Sequence, residues 1–152
     1  MSPRADLALY DRDGQLTVAV EVKNKLGTSA EWAAKLRRNL LAHGGFYGGS
    51  FFLLVTPDRV YLWKGAGAEP DLNPPTYEID ATPLFAPYFA RAGALLGEMS
   101  SQAFELVVAA WLSELVRSEE RPEDLADARR WLMESGLLSA VKNGRIEYEV
   151  AA

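Results

Sequence analysis

Within the stretch Ala5 to Lys23, two alternating apolar runs flank the dipeptide Asp13-Gly14. Successive side chains of a strand point to opposite faces, so a period of two in the polar positions reads as strand. Asp-Gly between two such runs predicts a β-hairpin over residues 5–23 with a two-residue turn, because both turn residues then need positive φ. In that register Arg12 pairs with Gln15, and Asp6 lies opposite Glu21. Glu21 and Lys23 share one face, and Val22 points to the other.

Beyond the break at residues 24–27 the period changes. Thr28 with Glu31 three residues on forms a capping box. Trp32, Ala33, Leu36, Leu40 and Leu41 then recur at helical spacing to about His43, and Lys35, Arg37, Arg38 and Asn39 form the polar side. Gly44-Gly45 stops the helix. Residues 50–56 are a continuous apolar run, which suits a central strand covered on both faces. After Pro57-Asp58, residues 59–64 alternate as a further strand, residues 65–75 read as a loop, and residues 76–79 read as a short edge strand. The remainder is helical in pattern: residues 83–92, a long apolar helix capped by Ser100 or Ser101, and residues 122–134 ended by Ser135-Gly136. Residues 145–150 form a last strand. The pattern predicts an α/β protein. Residues 1–80 are its core, a mixed sheet flanked by helices, and residues 81–152 are a helical extension packed on that core.

Composition narrows the chemistry. A chain of 152 residues with 49% apolar content suits one domain with a sizeable core. It has no cysteine, which excludes disulfides, thiolate metal sites and cysteine nucleophiles. His43 is the only histidine, which argues against a His-based triad or a zinc centre. No apolar run is long enough for a membrane span and no signal-peptide pattern is present, so the expected location is the cytoplasm. The net charge of −5 is uneven: residues 1–64 carry +3 and residues 65–152 carry −8. The basic half holds the hairpin, which makes a polyanionic partner plausible there. Trp32, Trp63, Trp111 and Trp131 read as core or interface anchors. The stripe Phe104, Val107, Val108, Trp111, Leu112 and Leu115 reads as core or dimer interface.

Like charges directly opposite on a sheet are destabilising. Asp6 facing Glu21 therefore calls for a cation, and Lys23 or a divalent metal could supply it. The plain alternative is a solvated strand face carrying Glu and Lys. Asp11 and Asp13 belong to the turn.

Asp6 opening one strand, Glu21-Val22-Lys23 ending the next, and then a helix and an apolar strand resemble the PD-(D/E)xK nuclease superfamily. The run from Phe51 to Lys64 is also similar to uncharacterised bacterial members of that group. The resemblance covers residues 4–64 and implies a restriction-endonuclease-like core. It implies that Asp6, Glu21 and the Val22 carbonyl ligate Mg²⁺ or Mn²⁺, and that Lys23 positions or deprotonates the attacking water. The implied activity is metal-dependent hydrolysis of phosphodiesters, with DNA the favoured nucleic acid. Lys25, Lys35 and Arg38, with Arg37 beside them, are candidate phosphate contacts. The alternative is a catalytically inactive domain of the same fold used for binding or assembly. Members of the group place a helix, often bearing a further Glu, and a strand ahead of the Asp-bearing strand. Here Asp6 is the sixth residue. A truncated chain, a partner or second copy supplying that element, or a reduced relative would each account for the difference.

Overall fold

The computed structural model describes residues 6–43, 49–67, 69–94, 98–119 and 125–148. The strands are β1 (Leu7–Tyr10), β2 (Leu16–Val22), β3 (Phe51–Val55), β4 (Arg59–Lys64), β5 (Tyr77–Asp80) and β6 (Arg145–Tyr148). They form one mixed sheet in the order β5-β4-β3-β2-β1-β6, in which only β2 and β3 run parallel. Helix α1 (Ala30–Ala42) makes the crossover that a parallel pair requires. Helices α2 (Thr82–Ala92), α3 (Ser101–Arg117), α4 (Arg130–Glu134) and α5 (Leu137–Val141) follow β5.

The helices cover both faces of the sheet. Leu7, Leu9, Val18, Val20, Leu53, Val55 and Leu62 face the larger core, where Phe85, Phe104, Trp111 and Leu112 of α2 and α3 pack on them. Ala19, Phe52, Leu54, Tyr61 and Trp63 face Ala33 and Leu41 of α1. The chain is therefore an α/β protein with helices on both sides of a mixed sheet. All five residues of β3 are buried, as a run without polar alternation requires. Strand β4 is buried from Val60 through Trp63, on both faces, and lacks the exposed face its alternation predicts. Among the described residues no helix is long and apolar enough to cross a membrane.

Several local expectations need correction. The turn is longer than two residues. Gly14 N–H donates to the Asp11 carbonyl (3.0 Å), Asp11 N–H donates to the Gln15 carbonyl (2.9 Å), and Gly14 alone takes the left-handed conformation, at φ 81°. The Asp11 carboxylate stabilises this loop by accepting from Asp13 N–H and Gln15 N–H, each at 2.9 Å. Tyr10 accordingly pairs with Leu16, and a bulge follows before Leu9 pairs with Val18. The longer turn and the bulge offset each other, so Leu7, Ala8 and Leu9 meet Val20, Ala19 and Val18 as the simple register expects. Helix α1 is capped by Ser29, whose Oγ accepts from Trp32 N–H at 3.1 Å, and not by Thr28, whose hydroxyl instead bonds Tyr61 Oη. The Gly44-Gly45 stop, the start of the helix expected at 122–134 and the end of the strand expected at 145–150 lie outside the described residues.

The last strand changes the picture of the C-terminal half. β6 pairs antiparallel with β1, Leu7 opposite Tyr148 and Tyr10 opposite Arg145, so the edge of β1 away from β2 is covered within the chain. Asn143, at φ 60°, donates its N–H to the Val116 carbonyl at the end of α3 (2.8 Å) and turns the chain into β6. Gly144 then lies so close to β1 that a Cβ there would collide with the Tyr10 carbonyl oxygen. Gly144→Ala is expected to lower stability by about 1–3 kcal/mol, the usual range for overpacking. Urea unfolding checks this, and an unchanged midpoint would show that β6 does not depend on this close approach.

Candidate functional site

The chemistry-bearing residues gather at one end of the β1–β2 pair. Leu7 pairs with Val20, and one further step along the same register sets Asp6 opposite Glu21. Asp6 lies just before β1, and its Oδ2 accepts from the Val22 N–H at 2.9 Å. A carboxylate thus closes the end of the ladder. In a strand the N–H and C=O of one residue leave on the same side, so the Val22 carbonyl also leaves β2 on the Asp6 side. Lys23 N–H donates to Val55 of β3 on the other side (2.9 Å), which fixes the strand direction up to Lys23.

Glu21 is 3% exposed. A buried carboxylate is destabilising unless hydrogen-bonded or paired with a cation. Lys23, on the same face, brings Nζ to 3.9 Å from Glu21 Oε2 while its own side chain stays 42% exposed. The arrangement is a sheltered carboxylate beside an accessible ammonium.

A third carboxyl comes from the helical half. Asn24 Nδ2 donates to the Met99 carbonyl (2.8 Å), which ties the segment after Lys23 to the start of α3. Ser100 caps that helix, its Oγ accepting from Ala103 N–H at 3.1 Å. One turn in, Glu105 has its carboxyl held above the ordinary range, first by burial and then by the negative charge of Asp6. No local sequence signal marks Glu105, which follows Phe104 in a helix that reads as apolar core. Its proximity to Asp6 is purely tertiary.

Among the described residues no group of three or more His, Cys, Asp or Glu side chains is arranged to hold a metal ion by itself. A divalent ion here would rest on Asp6, Glu21 and the Val22 carbonyl and would retain waters. That donor set is all oxygen and suits Mg²⁺, which keeps several waters beside one or two carboxylates.

The candidate phosphate contacts divide. Lys25 and Lys35 are exposed and Arg38 is partly exposed. Arg37 is fully buried and cannot reach a phosphate. Its guanidinium donates to Asp71 Oδ1 (2.9 Å) and the Gly67 carbonyl (3.0 Å) and lies 5.7 Å from the centre of the Trp63 ring. The loop after β4 therefore covers the middle of the polar side of α1. No protein-family model, curated protein or solved structure matches the chain.

The crowding at Glu105 has a thermodynamic signature. A carboxyl whose folded pKa is raised binds more protons in the native state than in the unfolded state, so stability falls as pH rises through the ordinary carboxylate range towards the folded pKa. Glu105→Gln should therefore raise the urea midpoint at neutral pH. The gain should vanish in acid, where Glu105 carries its proton in both states. A gain independent of pH, or a loss at neutral pH, would show that the charge of Glu105 is not what strains the site.

Proposed function

We propose that this chain is a divalent-metal-dependent nuclease with a restriction-endonuclease-like core, hydrolysing phosphodiester bonds in DNA. The observation that carries the reading is the Asp6–Val22 hydrogen bond. It holds the Asp6 carboxylate at the main chain of the residue between Glu21 and Lys23, at the end of the hairpin where the resemblance expects a metal. The topology adds support. The strand β6 flanks β1, and Glu105 of helix α3 is close enough to Asp6 to feel its charge; both are supplied by the C-terminal half. These are the kinds of element the resemblance expects ahead of Asp6.

On this reading Asp6, Glu21 and the Val22 carbonyl hold Mg²⁺ or Mn²⁺, which when bound polarises a phosphoryl oxygen and lowers the pKa of its water. The residues of the chain supply the rest. Burial holds the Glu21 carboxylate out of bulk solvent, which strengthens its electrostatic interactions. Lys23, half exposed next to Glu21, orients the attacking water or takes its proton and offsets charge building on the phosphate. Lys25, Lys35 and Arg38 bind neighbouring phosphates by charge and carry no sequence information.

Calorimetric titration with Mg²⁺ or Mn²⁺, with plasmid nicking on the same samples, tests the reading. The wild type should bind and nick, and Glu21→Ala should do neither. Lys23→Ala should still bind metal but nick about 10²–10⁴-fold more slowly, the usual contribution of a positioned acid or base. Binding without nicking would favour the inactive domain used for binding or assembly. No binding at millimolar metal, or nicking indifferent to Glu21→Ala, would overturn the metal site.

A further inference from the structure

Trp63, Trp111 and Trp131 are buried in the core, but Trp32 keeps part of its indole exposed. It is the third residue of α1. Tyr61 backs its ring, with centroids 6.5 Å apart and planes tilted by 56°. Tyr61 Oη and Thr28 Oγ1 share a 2.7 Å hydrogen bond, which fixes the backing ring. Lys25 stands over the indole with Nζ 5.5 Å from the ring centre.

This aromatic face is tied to the candidate site through the main chain. Lys25 N–H donates to the Lys23 carbonyl at 2.9 Å, so a tight two-residue step joins the Lys23 ammonium to the cation over Trp32. The connecting segment is fastened on both sides: Asn24 Nδ2 bonds the Met99 carbonyl (2.8 Å), and Gly27 N–H bonds Asp58 Oδ2 (3.3 Å). Leu26 beside it is 45% exposed. A held, partly bare indole beside exposed lysines has the components of a single-strand binding surface, where bases stack on aromatic rings and cations track the backbone.

We propose, resting on the nuclease reading, that Trp32 is a stacking platform for an unpaired base next to the cleaved phosphate, and that the substrate is DNA with a single-stranded segment. An exposed cation–π contact is weaker than base–aromatic stacking. An incoming base therefore displaces Lys25 from the ring, and the released ammonium meets the phosphate of that nucleotide. A base inside a duplex is already stacked and reaches the ring only after unstacking.

The test is equilibrium binding, in EDTA, of a fluorescein-labelled oligothymidylate, an abasic oligomer of the same length and a duplex. The oligothymidylate should bind more tightly than the abasic strand and quench tryptophan fluorescence. Trp32→Ala should weaken its binding about tenfold, whereas Trp32→Phe should keep most of the affinity. Equal affinity for the oligothymidylate and the abasic strand would overturn the platform, as would Trp32→Ala binding like wild type. Should Trp32→Ala fail to fold, the abasic comparison on wild type and the Trp32→Phe variant decide. Nicking by wild type and Glu21→Ala judges the parent reading separately. Nicking with no base preference sinks the platform alone, and base preference with no nicking sinks the nuclease reading alone.

Discussion

The parallel pairing of β2 with β3 is the constraint on which the rest of the molecule depends. Parallel neighbours need a crossover, and α1 provides it, leaving β2 at Val22 and entering β3 at Phe51. The crossover frees the carboxyl end of β2, and Glu21 and Lys23 stand at that end. It lays α1 over one face of β3 while α2 and α3 cover the other, and the uninterrupted apolar run of β3 permits burial on both. Ligands of α/β sheets commonly sit beyond the carboxyl ends of parallel strands, where side chains and helix starts converge. Here Asp6 reaches the same end from β1, and the first turn of α1 adds Trp32.

Much of this was legible in the sequence, sometimes for an incomplete reason. Asp6 comes to lie opposite Glu21, but through a longer turn and a compensating bulge. A two-residue loop and a three-residue loop closed by Asp11 and Gln15, the latter with one extra residue in β2, yield the same pairing beyond the bulge, so the facing of side chains is robust to the turn geometry. The cap of α1 moved by one residue because Tyr61 draws away the Thr28 hydroxyl, a contact between positions far apart in the chain. Arg37 looked like a surface residue on the helical wheel. Only the fold brings the loop bearing Gly67 and Asp71 over it, where two hydrogen bonds and the Trp63 face receive a guanidinium that would otherwise be too polar to bury.

The C-terminal half was the least legible. Its apolar helices announce a core, and α3 is indeed buried along Phe104, Val108, Trp111 and Leu112. Two consequences of that packing leave no trace in local pattern. One is the seating of β6 against β1, which makes the last strand part of the sheet. The other is the approach of Glu105 to Asp6, where a carboxyl is held at a disadvantage by burial and by like charge. Natural folds tolerate such crowding where a bound cation relieves it, and the proposed metal site gives the crowding that purpose. The two halves of the chain are thus joined at the candidate site as well as through the shared core.

The most direct measurement is a titration of the ¹⁵N-labelled protein with Mn²⁺, following paramagnetic broadening of each amide. The earliest losses are expected at Asp6 and Leu7 and at Glu21 to Lys23, with Glu105 on α3 following and its neighbours facing away from the site spared. Broadening that begins at the Asp11 and Asp13 turn, or at Asp58 and Asp80, would place the cation elsewhere. Uniform weak broadening across the acidic surface would contradict a metal site at the end of β2 altogether.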